Sequence, residues 1–167
     1  MTKGSSYVVL VFLALFGYFG YQWWFNPARV VKHRLGAVAA ALSVPESETE
    51  IARIARLAQL RSYLAEDVRI RAGAQQIDSR DAAIAVAAAW RPQPGSGDVH
   101  FADTQIFMES DTAAHAYLAV ELTSMDRESG HPVVDARDAN VSLEKRNGDW
   151  VITQAESKAN LSTPSRP

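Results

Sequence analysis

Apolar residues along this chain change their spacing from segment to segment, and each change marks an element. Residues 7–25 read YVVLVFLALFGYFGYQWWF, an unbroken apolar run with no charge and only Gln22 as a strongly polar side chain. After Pro27, Val31, Leu35, Val38 and Leu42 recur at helical spacing and predict a first globular helix. "SVPESETE" interrupts that stripe, and Ser47 with Glu50 reads as a capping box for a second helix. There Ile51, Ile54, Leu57, Leu60 and Leu64 form the apolar stripe, with Arg53, Arg56 and Arg61 turned outward to solvent. Residues 65–71 switch to a period of two, the mark of a short strand. Asp78 or Ser79 then caps a third, alanine-rich helix, "RDAAIAVAAAW". Four strands come after it, at 98–109, 113–124, 132–146 and 149–157. Asn147-Gly148 joins the last two as a hairpin, because a type I′ turn needs positive φ at both central positions.

Helices followed by a run of strands predict an α+β domain, with three helices covering one face of an antiparallel sheet. The opening run has a different fate. As a helix it would span about 28 Å, close to the thickness of a bilayer's hydrocarbon core. It is longer than a signal-peptide core and ends in bulky aromatics instead of a small-residue cleavage site. Tyr18, Tyr21, Trp23 and Trp24 suit the interfacial belt where amphipathic rings settle. The expected organisation is a tail at 1–6, a transmembrane anchor at 7–25, a domain at 28–158 and a disordered tail at 159–167. Lys3 precedes the anchor, and Arg29, Lys32 and Arg34 lie just after it. Counted literally, these charges slightly favour a cytoplasmic domain. A six-residue tail before a first apolar helix suits a bacterial signal anchor that exports the domain C-terminal to it. The expectation is therefore a single-pass inner-membrane protein with an extracytoplasmic domain.

Composition narrows the chemistry. The chain has 167 residues, a formal net charge of −2 and no cysteine. Thiol catalysis, cysteine-ligated zinc and iron–sulfur clusters are excluded, and no basic footprint points to nucleic acid. His33, His100, His115 and His131 lack metal-ligand spacing, so neither a metal nor a cofactor is expected.

Turn positions give an expected register. Lys145 falls opposite Trp150, Leu143 opposite Ile152, and Tyr117 opposite Gln105. Glu121 is expected opposite Asp135, Ala119 opposite Arg137, and Ala119 opposite Asp103. One face then collects Phe101, Phe107, Tyr117, Val141, Leu143, Trp150 and Ile152 to pack under the helices. The same face carries Asp103, Glu121, Asp135, Arg137 and Gln154 around Ala119. The outer face receives Ile106, Met108, Leu118, Val120 and Leu122 beside Asp138, Asn140, Ser142 and Glu144. That half-apolar surface suits a homodimer or an envelope protein partner.

The "EDV" after the second helix and the closing "NGDWVITQAE", in this order of elements, resemble the nuclear transport factor 2-like superfamily. Its polyketide cyclase and ketosteroid isomerase relatives share a cone-shaped, cystatin-like fold, and the resemblance covers residues 28–158. With an anchor in front, the layout is also similar to the periplasmic scaffold subunit of type IV secretion systems, in architecture only. The superfamily resemblance implies a pocket between helices and sheet. Asp103, Arg137 and Asp135 could imitate the Asp–Arg–Asp set of limonene epoxide hydrolases, where an arginine between carboxylates splits their pKa values. Tyr117, Glu121, Gln154 and Trp90 are the candidates for lining a ligand. Simple ion pairing across strands is the stronger explanation of the charged set. The expected role is a non-enzymatic binding or scaffold module anchored in the bilayer. A small-molecule hydrolase or isomerase, or a carrier of an apolar ligand, is the alternative.

Overall fold

The computed structural model describes residues 27–92, 96–126 and 129–157. The expected anchor at 7–25 and the tails at 1–6 and 159–167 lie outside the described residues. Among the described residues, no helix is long and apolar enough to cross a membrane.

Helix α1 (Pro27–Leu42) begins on its proline, whose missing N–H costs nothing in a first turn. It buries Val31, Leu35 and Val38 of the expected stripe together with Ala39 and Ala41, while Leu42 is only half-buried. Helix α2 (Glu50–Tyr63) is capped by Thr49 and not by Ser47, because the Thr49 hydroxyl accepts the Ala52 N–H at 3.2 Å. Its buried face also differs from the expected stripe. Leu60 and Tyr63 are buried, whereas Ile51 is 82% exposed and Ile54 59%. Arg56, expected outward, turns in. Its guanidinium donates to both Glu48 carboxylate oxygens, at 2.6 and 3.1 Å, and to the Ala41 carbonyl at 3.0 Å. Those partners satisfy the charge, which is what permits its burial.

Strand β1 (Leu64–Ala72) continues from α2 without a loop and folds back through Gly73, at φ +59°, into β2 (Gln75–Ile77). Helix α3 (Arg80–Ala89) starts on Ser79, whose hydroxyl accepts the Ala82 N–H at 3.3 Å. Strands β3 (Val99–Met108), β4 (Ala113–Met125), β5 (Pro132–Arg146) and β6 (Asp149–Ser157) complete a curved six-stranded sheet in the order β2-β1-β6-β5-β4-β3. β1 runs parallel to β6, so the sheet is mixed instead of wholly antiparallel. The last hairpin turns on Asn147 at φ 54° and Gly148 at φ 91°, the backbone a type I′ turn demands.

Register decides the faces. Lys145 pairs with Trp150, Leu143 with Ile152 and Gln105 with Tyr117, as expected. Between β4 and β5 the pairing is displaced by one residue: Val120 opposes Arg137 and Leu122 opposes Asp135. In β3 an extra residue is inserted between Ala102 and Gln105, with Asp103 at φ 47°. Such a bulge reverses the alternation of everything beyond it. Phe107 and Tyr117 therefore face outward, 54% and 51% exposed, while Ile106, Met108, Leu118 and Val120 pack against the core. On β4, and on β3 beyond the bulge, the expected faces are exchanged. Before the bulge Phe101 packs against the core as expected, and on β5 the faces hold, with Val141 and Leu143 buried.

Candidate functional site

Between the helices and the inner face of the sheet lies a cavity of about 240 Å³. Val38 of α1, Leu60 of α2 and Ala83 of α3 close it from the helix side. Leu118, Val141 and Ile152 close it from the sheet. All its lining residues are apolar, Phe101, Val120 and Ala155 among them. The small side chains of α3 create this space: Ala83 and Ala87 line it where larger residues would fill it. A dry space of this kind takes nonpolar molecules readily and polar ones poorly. Its lining offers no group that could move a proton or attack an electrophile.

The charged candidates lie elsewhere. Arg137 reaches Asp135 with Nη2 at 2.9 Å and Nε at 3.0 Å, on the stretch of β5 that is exposed throughout. Both side chains are more than half exposed, and neither lines the cavity. Asp103 sits on the bulge of β3. With Tyr117, Asp138 and Asn140 it borders a shallow depression of about 370 Å³ on the outer face. Asp135 and Arg137 stand opposite Leu122 and Val120, on the other side of the sheet from Tyr117. The structure thus brings Asp135 and Arg137 together and leaves Asp103 apart from them.

Among the ligand-lining candidates, Tyr117 packs edge-to-face on Phe107, with ring centroids 5.7 Å apart. Glu121 is half-buried, opposite His100 and Ala136. Gln154 lies opposite Ser142, on the same outer face as Tyr117. Trp90 ends α3, where its N–H bonds the Val86 carbonyl at 3.1 Å, and it does not line the cavity.

One polar chain on the outer face escaped the strand pattern. His115 Nδ1 lies 3.0 Å from the Ser142 hydroxyl, and its Nε2 lies 3.1 Å from Glu109. The β4–β5 register that joins these residues is the one displaced from expectation, so alternation along the strands carried no signal for it.

Comparison with solved structures agrees with the architecture. An NTF-2 like protein of unknown function from Shewanella oneidensis matches with a TM-score of 0.62 at 18% identity, over 80% of this chain and 99% of its own. The chain has the nuclear transport factor 2-like fold. A candidate scytalone dehydratase from Novosphingobium aromaticivorans matches with a TM-score of 0.63 at 14% identity, over 83% of this chain and 87% of its own. The association domain of C. elegans CaMKII matches with a TM-score of 0.58 at 10% identity, over 80% of this chain and 93% of its own. No protein-family model and no curated protein matches the sequence. Nuclear transport factor 2-like structures this divergent from the chain carry its fold alone, since one fold hosts many activities.

Proposed function

We propose that this chain is a non-enzymatic binding module at the bacterial envelope. Residues 7–25 hold it at the inner membrane, its domain lies on the extracytoplasmic side, and its cavity takes a small nonpolar ligand. The observation that carries the ligand reading is the apolar lining of the 240 Å³ cavity, with Asp103, Asp135 and Arg137 all outside it. A hydrolase or isomerase would need at least one of those groups aimed at a sheltered substrate. Methyl NMR of the full chain, titrated with benzene and then with longer alkanes and alcohols, tests it. Saturable shifts at Val120, Val141 and Ile152 are expected. Shifts that never saturate, or that spread over surface methyls, would end the ligand reading. Sidedness has its own test: an active C-terminal phosphatase fusion is expected, and an inactive one beside a glowing fluorescent fusion overturns it.

A second reading has an observation of its own. Phe107 and Tyr117 form an exposed aromatic pair on the outer face, with exposed Val134 on β5. Surfaces of that kind favour self-association, and one structurally similar protein is an association domain. The scaffold role belongs to this face. Tyr117→Asp is expected to convert a dimer of the full chain to a monomer in detergent while its circular dichroism stays unchanged. A monomeric parent protein would remove the self-association reading.

A further inference from the structure

Arginines in the described part of this chain are almost all occupied. Arg34, Arg53, Arg56, Arg61, Arg80, Arg137 and Arg146 each pair with a carboxylate. Arg91 bonds main-chain carbonyls, and Arg29 has a partner as well. Of the described arginines only Arg69 and Arg71 have neither a side-chain hydrogen bond nor an ion pair. Both are exposed, and both line the same small depression of about 90 Å³ on the outer face of β1 and β6. Two side-chain amides complete it. Gln154 stands opposite Arg69 across the parallel pair, and Gln76 stands opposite Arg71 across the β1–β2 hairpin.

We propose that Arg69, Arg71, Gln76 and Gln154 form a binding site for a phosphoryl group. Two guanidinium forks bring charge and paired N–H donors, the geometry that matches phosphate oxygens bidentately. Gln154 adds a neutral amide donor and Gln76 the one amide hydrogen that Asp78 does not take, and the depression is small enough to select a compact oxyanion over a large ligand. Nearby carboxylates make no direct ion pair with either fork, although the Asp67 charge is felt by Arg69 through space. Asp67 is held by Arg146 at 2.5 Å, and Asp78 accepts from the Gln76 amide at 2.8 Å. Glu156 stands opposite Arg71 in the register but forms no ion pair with it, and it is absent from the lining. It lowers the net positive charge, which favours a singly charged phosphate diester or monoanion over a polyphosphate. Ile70 and Ala155 separate this site from the apolar cavity on the opposite face, lining both. The phosphoryl site is thus independent of the ligand reading.

The test uses the full chain in neutral detergent at low salt, with the arginine side-chain N–H signals observed by NMR. Inorganic phosphate is titrated first, then short-chain phosphatidylglycerol below its micelle concentration. Saturable shifts at Arg69 and Arg71 are expected. Arg69→Gln with Arg71→Gln should weaken binding at least about tenfold, while Arg137→Gln leaves it unchanged. Tighter binding of the lipid than of inorganic phosphate identifies a headgroup as the source, and equal or weaker binding identifies a soluble phosphate. Absence of saturable shifts, or equal loss in the Arg137 variant, overturns the site.

Discussion

Replacing Ala83 by Leu puts the cavity to a test in which the sign of the effect decides. Ala83 is 7% exposed and contributes to the cavity from the middle of α3. Leucine is nearly as good a helix former as alanine, so the backbone contribution is small. Its three added carbons enter empty space of about 240 Å³. At about 0.8 kcal/mol per buried methylene, the ceiling is ~2.4 kcal/mol of stabilisation. Freezing the new rotamers removes about 0.5–1 kcal/mol, leaving a net gain of about 1–2 kcal/mol. In a filled core the same substitution would force neighbours apart and cost about 1–3 kcal/mol. Urea unfolding of the ligand-free protein separates the two. The midpoint should rise by roughly 0.5–1 M with an unchanged m-value. A midpoint that falls instead would mean that the space is already filled, and the ligand reading would fall with it.

Other perturbations probe the frame around that space. Arg56→Ala strands the Glu48 carboxylate, whose side chain is only 8% exposed, and should cost about 3–5 kcal/mol in the same assay. The Arg56 hydrogen bond holds the Glu48 carboxyl below its ordinary value of 4.5, against the opposing effect of burial. Because the folded-state value is lowered, this stabilisation is complete above pH 4.5 and fades as pH falls through the lower folded value. Thermal melts between about pH 6 and pH 3 should show that part of the acid sensitivity disappearing in Arg56→Ala. Leu143→Ala removes a side chain that is 1% exposed and should cost about 2–5 kcal/mol. Gly97 has φ +98°, and an added Cβ would stand 2.6 Å from Pro92 Cγ. Gly97→Ala should therefore cost about 1–3 kcal/mol, measured as a lowered urea midpoint.

The elements themselves were legible because periodicity reports local structure. The β3–β6 bounds fall within a residue or two of expectation, and Asn147-Gly148 fixed the last hairpin to the residue. Legibility ended where two strands had to be aligned through structure that periodicity does not encode. The β4–β5 connection left the register one residue from the symmetric guess, with Met125 opposite Pro132. The bulge at Asp103 has no apolar signature at all, since an aspartate tolerates positive φ without announcing it. A single misplaced residue at each point was enough to exchange two faces. That is why Leu118 and Val120, expected on an outer surface, are cavity walls, and why Tyr117, expected inward, is exposed. The parallel β1–β6 pairing was equally invisible, because residues so far apart in the chain share no turn.

Those exchanges alter the chemical argument more than the architectural one. With Phe107 and Tyr117 inside, the cone would have been full and its rim charged, and a scaffold would have been the natural reading. With Leu118, Val120 and the alanines of α3 inside, the walls recede and a dry space opens. The charges move in the opposite sense. Asp103 departs to the outer face, and the Asp135–Arg137 pair is left on an exposed strand, where such pairs contribute about 0–1 kcal/mol and hold each other in a high-dielectric setting. Water at that strand screens the arginine. An enzyme built on these residues would therefore lack the shelter that acid–base chemistry uses, whereas a nonpolar guest in the cavity needs no polar group from the chain. The same sheet faces both ways. Ile70 and Ala155 border the apolar cavity on one side and the arginine depression on the other, so the domain presents two chemically opposite surfaces across one strand pair.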